Sequence, residues 1–221
     1  MFRKTLISAL LVLAVASPAF AQKAEVSFVL GYTFSEGINF NAAVATPIGT
    51  YNRIDPAAGF SYGFTFGVYV TPQAEIEFLY GHQSSTLEIT GTGPQLNGDM
   101  GINNYHGNFV YNFGDESSKA RPFMFIGLGA TSYGDAVFPD QSGVAGRTVP
   151  GISKFSWALG GGVKAWANKN VGVKAMFRWV PTYINSDAEG WWCDPWYGCG
   201  VVGTYKYSHQ FELAGGIVAR F

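Results

Sequence analysis

The sequence has little charge and, beyond its first segment, no long apolar run. Lysine, arginine, aspartate and glutamate make up 13% of the 221 residues, and the formal net charge is −1. Without a basic surplus, nucleic acid is not an expected partner. No stretch after residue 21 holds the roughly 20 consecutive apolar residues that a transmembrane helix needs, so a helical membrane protein is excluded.

Few residues could hold a metal or form a catalytic motif. The chain has three histidines and two cysteines, Cys193 and Cys199, and two cysteines without a nearby histidine provide only half of a zinc site. The sequence contains neither a phosphate-binding loop nor a nucleophile elbow. Neither a metal nor another cofactor is therefore expected.

The first residues have the features of an export signal. Arg3 and Lys4 form a basic start, an apolar stretch follows, and 19–21 read Ala-Phe-Ala, a small-x-small cleavage site. This order is typical of a secretory signal peptide. We expect a cleaved signal peptide over 1–21 and a single mature domain over 22–221.

The rest of the chain alternates between large apolar and small or polar residues. Residues 60–68 read Phe-Ser-Tyr-Gly-Phe-Thr-Phe-Gly-Val, and seven of eight such segments repeat this pattern clearly. Successive residues of a strand point to opposite faces, so each segment predicts a strand with one apolar face. In the remaining segment we expect Met124, Ile126 and Leu128 to face outward, because that choice leaves Gly127 and Gly129 in the crowded interior.

The faces opposite the aromatics carry Glu, Lys, Arg and Asn. A soluble barrel would place its polar residues outside, so the pattern predicts the inverse arrangement, with aromatics toward lipid. A closed barrel can cross a membrane because every backbone polar group pairs between strands. The prediction is an all-β fold, an eight-stranded antiparallel up-and-down transmembrane β-barrel.

Connection lengths agree with that fold, since such barrels alternate short periplasmic turns with longer outer loops. Short connections are expected at 71–73, 114–120 and 167–170. Longer loops are expected at 35–57, 86–99, 134–153 and 185–204. Both ends of the mature chain would then lie in the periplasm.

The last predicted strand, 211–221, alternates in the same way and ends in Phe221. Together with the signal peptide and the eight alternating segments, it resembles the OmpA-like family of outer-membrane β-barrel domains over essentially the whole mature chain. The resemblance implies a location in the outer membrane, contact with its lipid and lipopolysaccharide, and a monomer. It also implies that the barrel-assembly machinery reads a signal that includes Phe221, a role compatible with a place in the aromatic girdle.

The inward-facing charges form the main candidate site. They are Glu75, Glu77, Lys164, Lys174, Arg178, Glu212 and Arg220. Arg178 and Glu212 fall at similar heights on neighbouring strands. Glu77 falls in a lower layer with Lys164 and Lys174, and its carboxylate is needed there to offset their like charges. We expect an ion-pair network that closes the lumen, because an unpaired buried charge is costly and a solute-wide pore usually needs about 16 strands. A narrow channel is the alternative.

The last outer loop holds two cysteines and a group of aromatic residues. They are Cys193, Cys199, Trp191, Trp192, Trp196 and Tyr197. Export makes a disulfide the default for the cysteines. The aromatics could pack within the loop and girdle or form a recognition surface for a ligand outside the cell.

His82 and Ser84 are two residues apart and share an outward strand face. This pair resembles the His-x-Ser arrangement of the lipid A deacylase family, but no acidic partner is identifiable, and polar residues at the membrane interface are the simpler interpretation. The predicted function is a non-enzymatic barrel that contributes to envelope integrity or surface interaction through its outer loops. The alternatives are a narrow channel for small or hydrophobic solutes and a lipid A-modifying hydrolase.

Overall fold

The computed structural model describes residues 23–46, 48–140, 145–184, 193–194, 198–199 and 207–221. The predicted signal peptide, 1–21, lies outside these ranges and stays a prediction. No helix long and apolar enough to cross a membrane occurs among the described residues. The strands in the described part are β1 (Ala24–Ser35), β2 (Ile38–Thr46), β3 (Gly49–Pro56), β4 (Gly59–Tyr69), β5 (Ala74–Gly91), β6 (Leu96–Asn112), β7 (Ala120–Tyr133), β8 (Ala136–Phe138), β9 (Arg147–Val149), β10 (Ile152–Trp166), β11 (Val171–Tyr183), β12 (Cys193–Asp194), β13 (Gly198–Cys199) and β14 (Tyr207–Arg220).

Eight of these strands close a barrel. Each strand of the ring pairs antiparallel with the next, in the order β1, β4, β5, β6, β7, β10, β11 and β14. The last of them, β14, pairs with β1 and closes the ring. The closing pair aligns Phe28 with Ile217 and Glu25 with Arg220, so the start of β1 and the end of β14 lie at one end of the barrel. The predicted eight-stranded antiparallel barrel is confirmed.

The two faces of the barrel wall are those that the alternation predicts. On β4, Phe60, Phe64 and Phe66 are exposed, whereas Ser61 and Thr65 are buried. The segment that the sequence left open, β7, also follows its favoured register, with Met124 55% exposed and Phe123 4% exposed.

Glycine makes the register of β7 possible. A Cβ at Gly127 would lie 2.0 Å from Asn108 Oδ1, and one at Gly129 would lie 1.8 Å from the Tyr105 carbonyl oxygen. Only a residue without a side chain fits at these two inward positions, as the crowding argument predicted.

The predicted outer loops are wrong in three places, where the chain forms strands instead. The hairpin of β2 and β3 occupies most of 35–57 and pairs with the upper part of β5. The hairpin of β5 and β6 runs on through most of 86–99. Within 134–153, β8 and β9 form a hairpin that pairs with β6. Glycine, proline and asparagine in these stretches mark turns and irregularities within strands, and not loops throughout.

The added strands raise the wall above the barrel mouth and enclose an apolar cluster. Its buried members come from all these hairpins and from β7 and the start of the last outer loop. They are Ile38, Tyr51, Ile54, Leu87, Leu96, Met100, Ile102, Tyr133, Ala136, Phe138, Val149 and Ile184. We call this group the outer cluster. Burial of its apolar surface supplies the free energy that holds the extra strands together.

Candidate functional site

The lowest layer of the lumen is built around a buried lysine. Lys164 Nζ lies 2.5 Å from Glu25 Oε1 and 3.0 Å from Glu75 Oε2, and the Tyr69 hydroxyl donates to Glu25 Oε2 at 2.8 Å. Gly67 makes room for this layer, since a Cβ there would lie 1.8 Å from Glu75 Oε1. Two carboxylates therefore share one ammonium group.

The middle layer pairs Lys174 with Glu77. Lys174 Nζ donates to Glu77 Oε2 at 2.8 Å, and Asn108 Nδ2 donates to Glu77 Oε1 at 2.9 Å. The ring of Phe123 separates the two lysines, with Lys164 Nζ 5.3 Å and Lys174 Nζ 5.2 Å from its centroid. Both ammonium groups are thus within cation–π distance of the same ring.

The upper layer pairs Arg178 with Glu212, which lie directly opposite each other on β11 and β14. Arg178 Nη2 is 2.6 Å from Glu212 Oε2, and Arg178 Nε donates to the same oxygen at 2.8 Å. The Ser61 hydroxyl donates to the other carboxylate oxygen at 2.7 Å. Gly81 faces the guanidinium, where a Cβ would lie 2.8 Å from Nη2.

The charges of the lumen balance. The lumen holds four buried carboxylates, Glu25, Glu75, Glu77 and Glu212, and four buried cations, Arg121, Lys164, Lys174 and Arg178, each at most 3% exposed. Arg121 forms no ion pair with a described residue, and its Nη2 donates to the Pro72 carbonyl oxygen at 2.9 Å. Charges taken out of water are costly unless they are paired. The arrangement leaves no net formal charge among these eight groups.

Three of these placements differ from the sequence-based expectation. Lys164 forms ion pairs with Glu25 and Glu75, and Glu77 pairs with Lys174 alone. Glu25 and Arg121 are lumen charges that the sequence reasoning left out. Extending the inward alternation of β1 and β7 to their first residues would have found both.

Arg220 departs from the prediction and does not join the lumen layers. Its guanidinium lies 4.4 Å from the Trp166 ring centroid, 3.6 Å from Glu116 Oε1, and donates to the Lys169 carbonyl oxygen at 3.1 Å. It is the last residue of β14, below the layer of Lys164, so its long side chain reaches the rim instead of the interior.

The turn between β6 and β7 crosses the mouth of the barrel at the end where β1 starts and β14 ends. These two strands lie opposite β1 and β14 in the ring, yet Glu116 in their turn accepts a hydrogen bond from Lys23, next to β1, and pairs with Arg220 on β14. The hydrogen bond from Lys23 lowers the pKa of Glu116 below its usual value. The turn is therefore held across the opening by ion pairs.

Above the charged layers, hydroxyl and amide groups form a hydrogen-bonded network. The Thr131 hydroxyl donates to Asn104 Oδ1 at 2.7 Å and lies 3.0 Å from the Ser156 hydroxyl. His106 Nε2 lies 2.9 Å from the same Ser156 oxygen. Going outward, the polar contacts of the interior thus change from ion pairs to neutral hydrogen bonds, and the outer cluster lies above them.

On the lipid-facing side, His82 meets a partner that the sequence did not identify. His82 Nδ1 lies 2.9 Å from Asn103 Oδ1, which also accepts a hydrogen bond from the Tyr80 hydroxyl at 3.0 Å. Because an amide oxygen only accepts, His82 Nδ1 is the donor in this contact. Ser84 and His82 line one groove of about 580 Å³, but no hydrogen bond joins them.

The other predicted site residues are only partly described. Trp191, Trp192, Trp196 and Tyr197 lie outside the described residues. The backbones of Cys193 and Cys199 pair with each other in β12 and β13, and the disulfide stays a prediction.

Phe221 is 73% exposed and ends the outward row of β14. Its backbone nitrogen donates to the Ala24 carbonyl oxygen at 2.9 Å, which extends the pairing of β14 with β1 by one residue. Its role as an assembly signal stays a prediction.

Comparisons with known proteins agree with this architecture. A family model described as outer membrane protein beta-barrel domain matches residues 7–213. The outer membrane protein OprG from Pseudomonas aeruginosa is similar in structure, with a TM-score of 0.61 at 12% identity over 91% of this chain and 96% of OprG. Neisserial surface protein A has a TM-score of 0.51 at 16% identity over 90% of this chain and 97% of that protein. No curated protein sequence matches the chain. At these identities the structural likeness shows the fold alone.

Proposed function

The chain belongs to the outer membrane protein beta-barrel domain family, and we propose that it is a non-enzymatic, non-conducting barrel of the outer membrane. In this proposal the barrel contributes to envelope integrity and meets the outside through its extracellular hairpins and last loop. Export by a signal peptide cleaved after Ala21 is part of the same proposal.

The ion-paired lumen carries the proposal. A conducting pore needs a water-filled path, whereas here ten side chains, the eight balanced charges with Tyr69 and Phe123, fill the lower half at near-complete burial. Opening a path would separate buried ion pairs, and breaking one such pair costs about 3–5 kcal/mol. The turn held by Glu116 adds a barrier at the periplasmic mouth.

Single-channel recording on the refolded protein tests the closed lumen. We expect no stable conductance steps, with a 16-stranded porin in the same bilayers as the positive control. As a matched variant, alanine at both Arg53 and Asp55, an ion pair of the extracellular hairpin, should leave the recording unchanged. Stable, large steps from the wild type would support the narrow-channel alternative instead.

The extracellular hairpins suit a role in surface interaction. The hairpins pack against the outer cluster, which holds their backbone in one conformation. Their outward side chains therefore form a preorganised surface, and such a surface loses less conformational entropy on binding. The predicted last loop contains Trp191, Trp192, Trp196 and Tyr197, residue types that dominate binding hot spots.

An adhesion assay tests this part of the proposal. Cells that display the protein with alanine at Trp191, Trp192 and Trp196 should adhere less to host cells or abiotic surfaces than cells with the wild type, at equal protein level. Trp157→Ala, a change in the lipid-facing aromatic belt, is the matched control and should not alter adhesion. Equal adhesion by the triple variant and the wild type contradicts a recognition role for the loop.

A second candidate function rests on the contact of His82 with Asn103. An imidazole whose Nδ1–H is held by a third group keeps Nε2 free as a base, the arrangement that activates a serine nucleophile. Ser84, directly opposite Gly101 in the strand register, faces the same groove. The candidate reaction is hydrolysis of an ester bond in a membrane lipid.

Mass analysis of lipid A from cells that express the protein tests the second candidate. A shift in lipid A mass that needs both His82 and Ser84 would support hydrolysis. Ser153→Ala, at the outer end of β10, is the control for the loss of a serine hydroxyl. An unchanged lipid A profile on expression of the wild type excludes lipid A as the substrate.

A further inference from the structure

The periplasmic rim holds a groove that neither the lumen nor the extracellular surface accounts for. It has a volume of about 560 Å³ and lies between the turn that crosses the mouth, the turn between β10 and β11, and the residues next to the start of β1 and the end of β14. Its lining residues are Lys23, Glu116, Ser117, Lys169, Asn170, Arg220 and Phe221. Three cationic side chains thus face one side-chain carboxylate.

The three cationic side chains of the groove differ in the hydrogen bonds and ion pairs that they form. Lys23 is hydrogen-bonded to Glu116, whereas Lys169 forms no ion pair with any described residue. Arg220 has a side chain 11% exposed, and its Nη1 lies 3.6 Å from Glu116 Oε1, an ion-pair distance at which it makes no hydrogen bond. A buried guanidinium N–H that makes no hydrogen bond is costly, so Arg220, which has only this long ion pair with Glu116, and Lys169 have donors left for an anion in the groove.

The apolar side of the groove faces the membrane. Phe221 lines it and is largely exposed, and it continues the lipid-facing row that contains Ile217. A ligand in the groove could therefore place an anionic group against Lys169 and Arg220 and an apolar chain along Phe221. The periplasmic leaflet of an outer membrane consists of glycerophospholipids, which combine these two chemistries.

We propose that this groove binds an anionic glycerophospholipid, with the phosphodiester held by Lys169 and Arg220 and an acyl chain lying along Phe221. Arg220 is suited to this contact because its planar guanidinium can donate two hydrogen bonds to one phosphate. The stacking of Arg220 on Trp166 at 4.4 Å holds the guanidinium at the edge of the barrel, where a headgroup can reach it.

Native mass spectrometry of the full-length mature protein, taken from vesicles of phosphatidylglycerol and phosphatidylcholine, tests the proposal. We expect the wild type to retain phosphatidylglycerol in preference to phosphatidylcholine. Lys169→Gln should lower this retention about fivefold, the factor that corresponds to roughly 1 kcal/mol for one cation near an anionic lipid surface. Lys119→Gln, an exposed change at the same end that does not line the groove, should match the wild type.

The same experiment can overturn the proposal in three ways. A wild type that retains no phosphatidylglycerol contradicts the site. Equal losses for Lys169→Gln and Lys119→Gln indicate general attraction between the periplasmic end and the membrane, and not a site. Release of the lipid by millimolar inorganic phosphate indicates a site for a free anion. None of these outcomes depends on whether the lumen conducts or the outer surface adheres.

Discussion

The lower half of the barrel and the extension that the added strands form above it have different interiors, and β6 passes from one to the other. In the lower half its inward residues are mostly polar, namely Asn112, Val110, Asn108, His106 and Asn104, and its outward ones include the aromatic Tyr111, Phe109 and Tyr105. From Ile102 onward the same inward face carries Ile102, Met100 and Leu96, and the outward face turns polar. The strand keeps one register while its polarity inverts.

The inversion shows where the solvent changes. Below the level of Ile102 the exterior is lipid, so apolar residues point outward and the polar ones must satisfy one another inside. Above it the exterior is water, so apolar residues gain by turning inward. One continuous pair of strands, β5 and β6, thus obeys the rules of a membrane barrel and then those of a soluble β-protein.

The largest expected effect comes from unpairing the lower interior. Glu77→Leu leaves Lys174 charged and buried, and we expect a loss of about 3–5 kcal/mol in the free energy of unfolding. The double variant with Lys174→Met should recover most of that loss, since neither charge then remains. Urea titration in lipid vesicles measures both. A double variant no more stable than Glu77→Leu would show that the pair is not what stabilises this layer.

The stability of the outer cluster should depend on how well its apolar side chains fill the space, since none of its members carries a charge that could form an ion pair. Ile102→Ala removes buried apolar atoms from the outer cluster and should cost roughly 2–5 kcal/mol, felt mainly by the extracellular strands. Hydrogen exchange should show faster opening of β2, β3, β8, β9 and the upper ends of β5 and β6, with the lower part of the barrel unchanged. Loss of protection throughout the barrel would contradict the division into two separately packed regions.

A charge on the outer face locates the boundary between lipid and water. Phe109→Lys, on the lipid-facing side of β6, should cost about 2–4 kcal/mol because the charge enters the bilayer. Asp99→Lys, on the same face of the same strand but above Ile102, should change stability by no more than about 0.5 kcal/mol. Comparable costs at both positions would place the membrane boundary further out than Ile102.

The smallest effect concerns the turn across the periplasmic mouth. The pKa of Glu116 is lowered by its hydrogen bond with Lys23, so its carboxylate stabilises the folded turn above its ordinary pKa. That contribution is lost as the pH falls through the lowered value. Limited proteolysis of the turn should therefore speed up in acid for the wild type. With Glu116→Gln, cleavage should be faster at neutral pH and should lack this pH dependence.

The sequence predicted the barrel faces well because alternation is a local property. A residue and its second neighbour share a face whatever the rest of the chain does, so Phe60, Phe64 and Phe66 could be assigned without knowing any strand pairing. The extracellular strands escaped prediction because the expected rule, apolar outward, ceases to hold above the membrane. The upper part of β6 alternates in the same way as the barrel strands, but its apolar residues, Leu96, Met100 and Ile102, are the ones that point inward.

The candidate site shows the limit of that local information. The sequence alone determined which side of each strand is charged, and hence that six of the seven predicted charges meet inside the lumen. Which charge pairs with which was decided by the stagger of strands around the ring, since Lys174 and Glu77 are 97 residues apart. The same closure in three dimensions brought Lys164 between Glu25 and Glu75 and carried Glu116 across the mouth to Arg220, contacts that no spacing along the chain encodes.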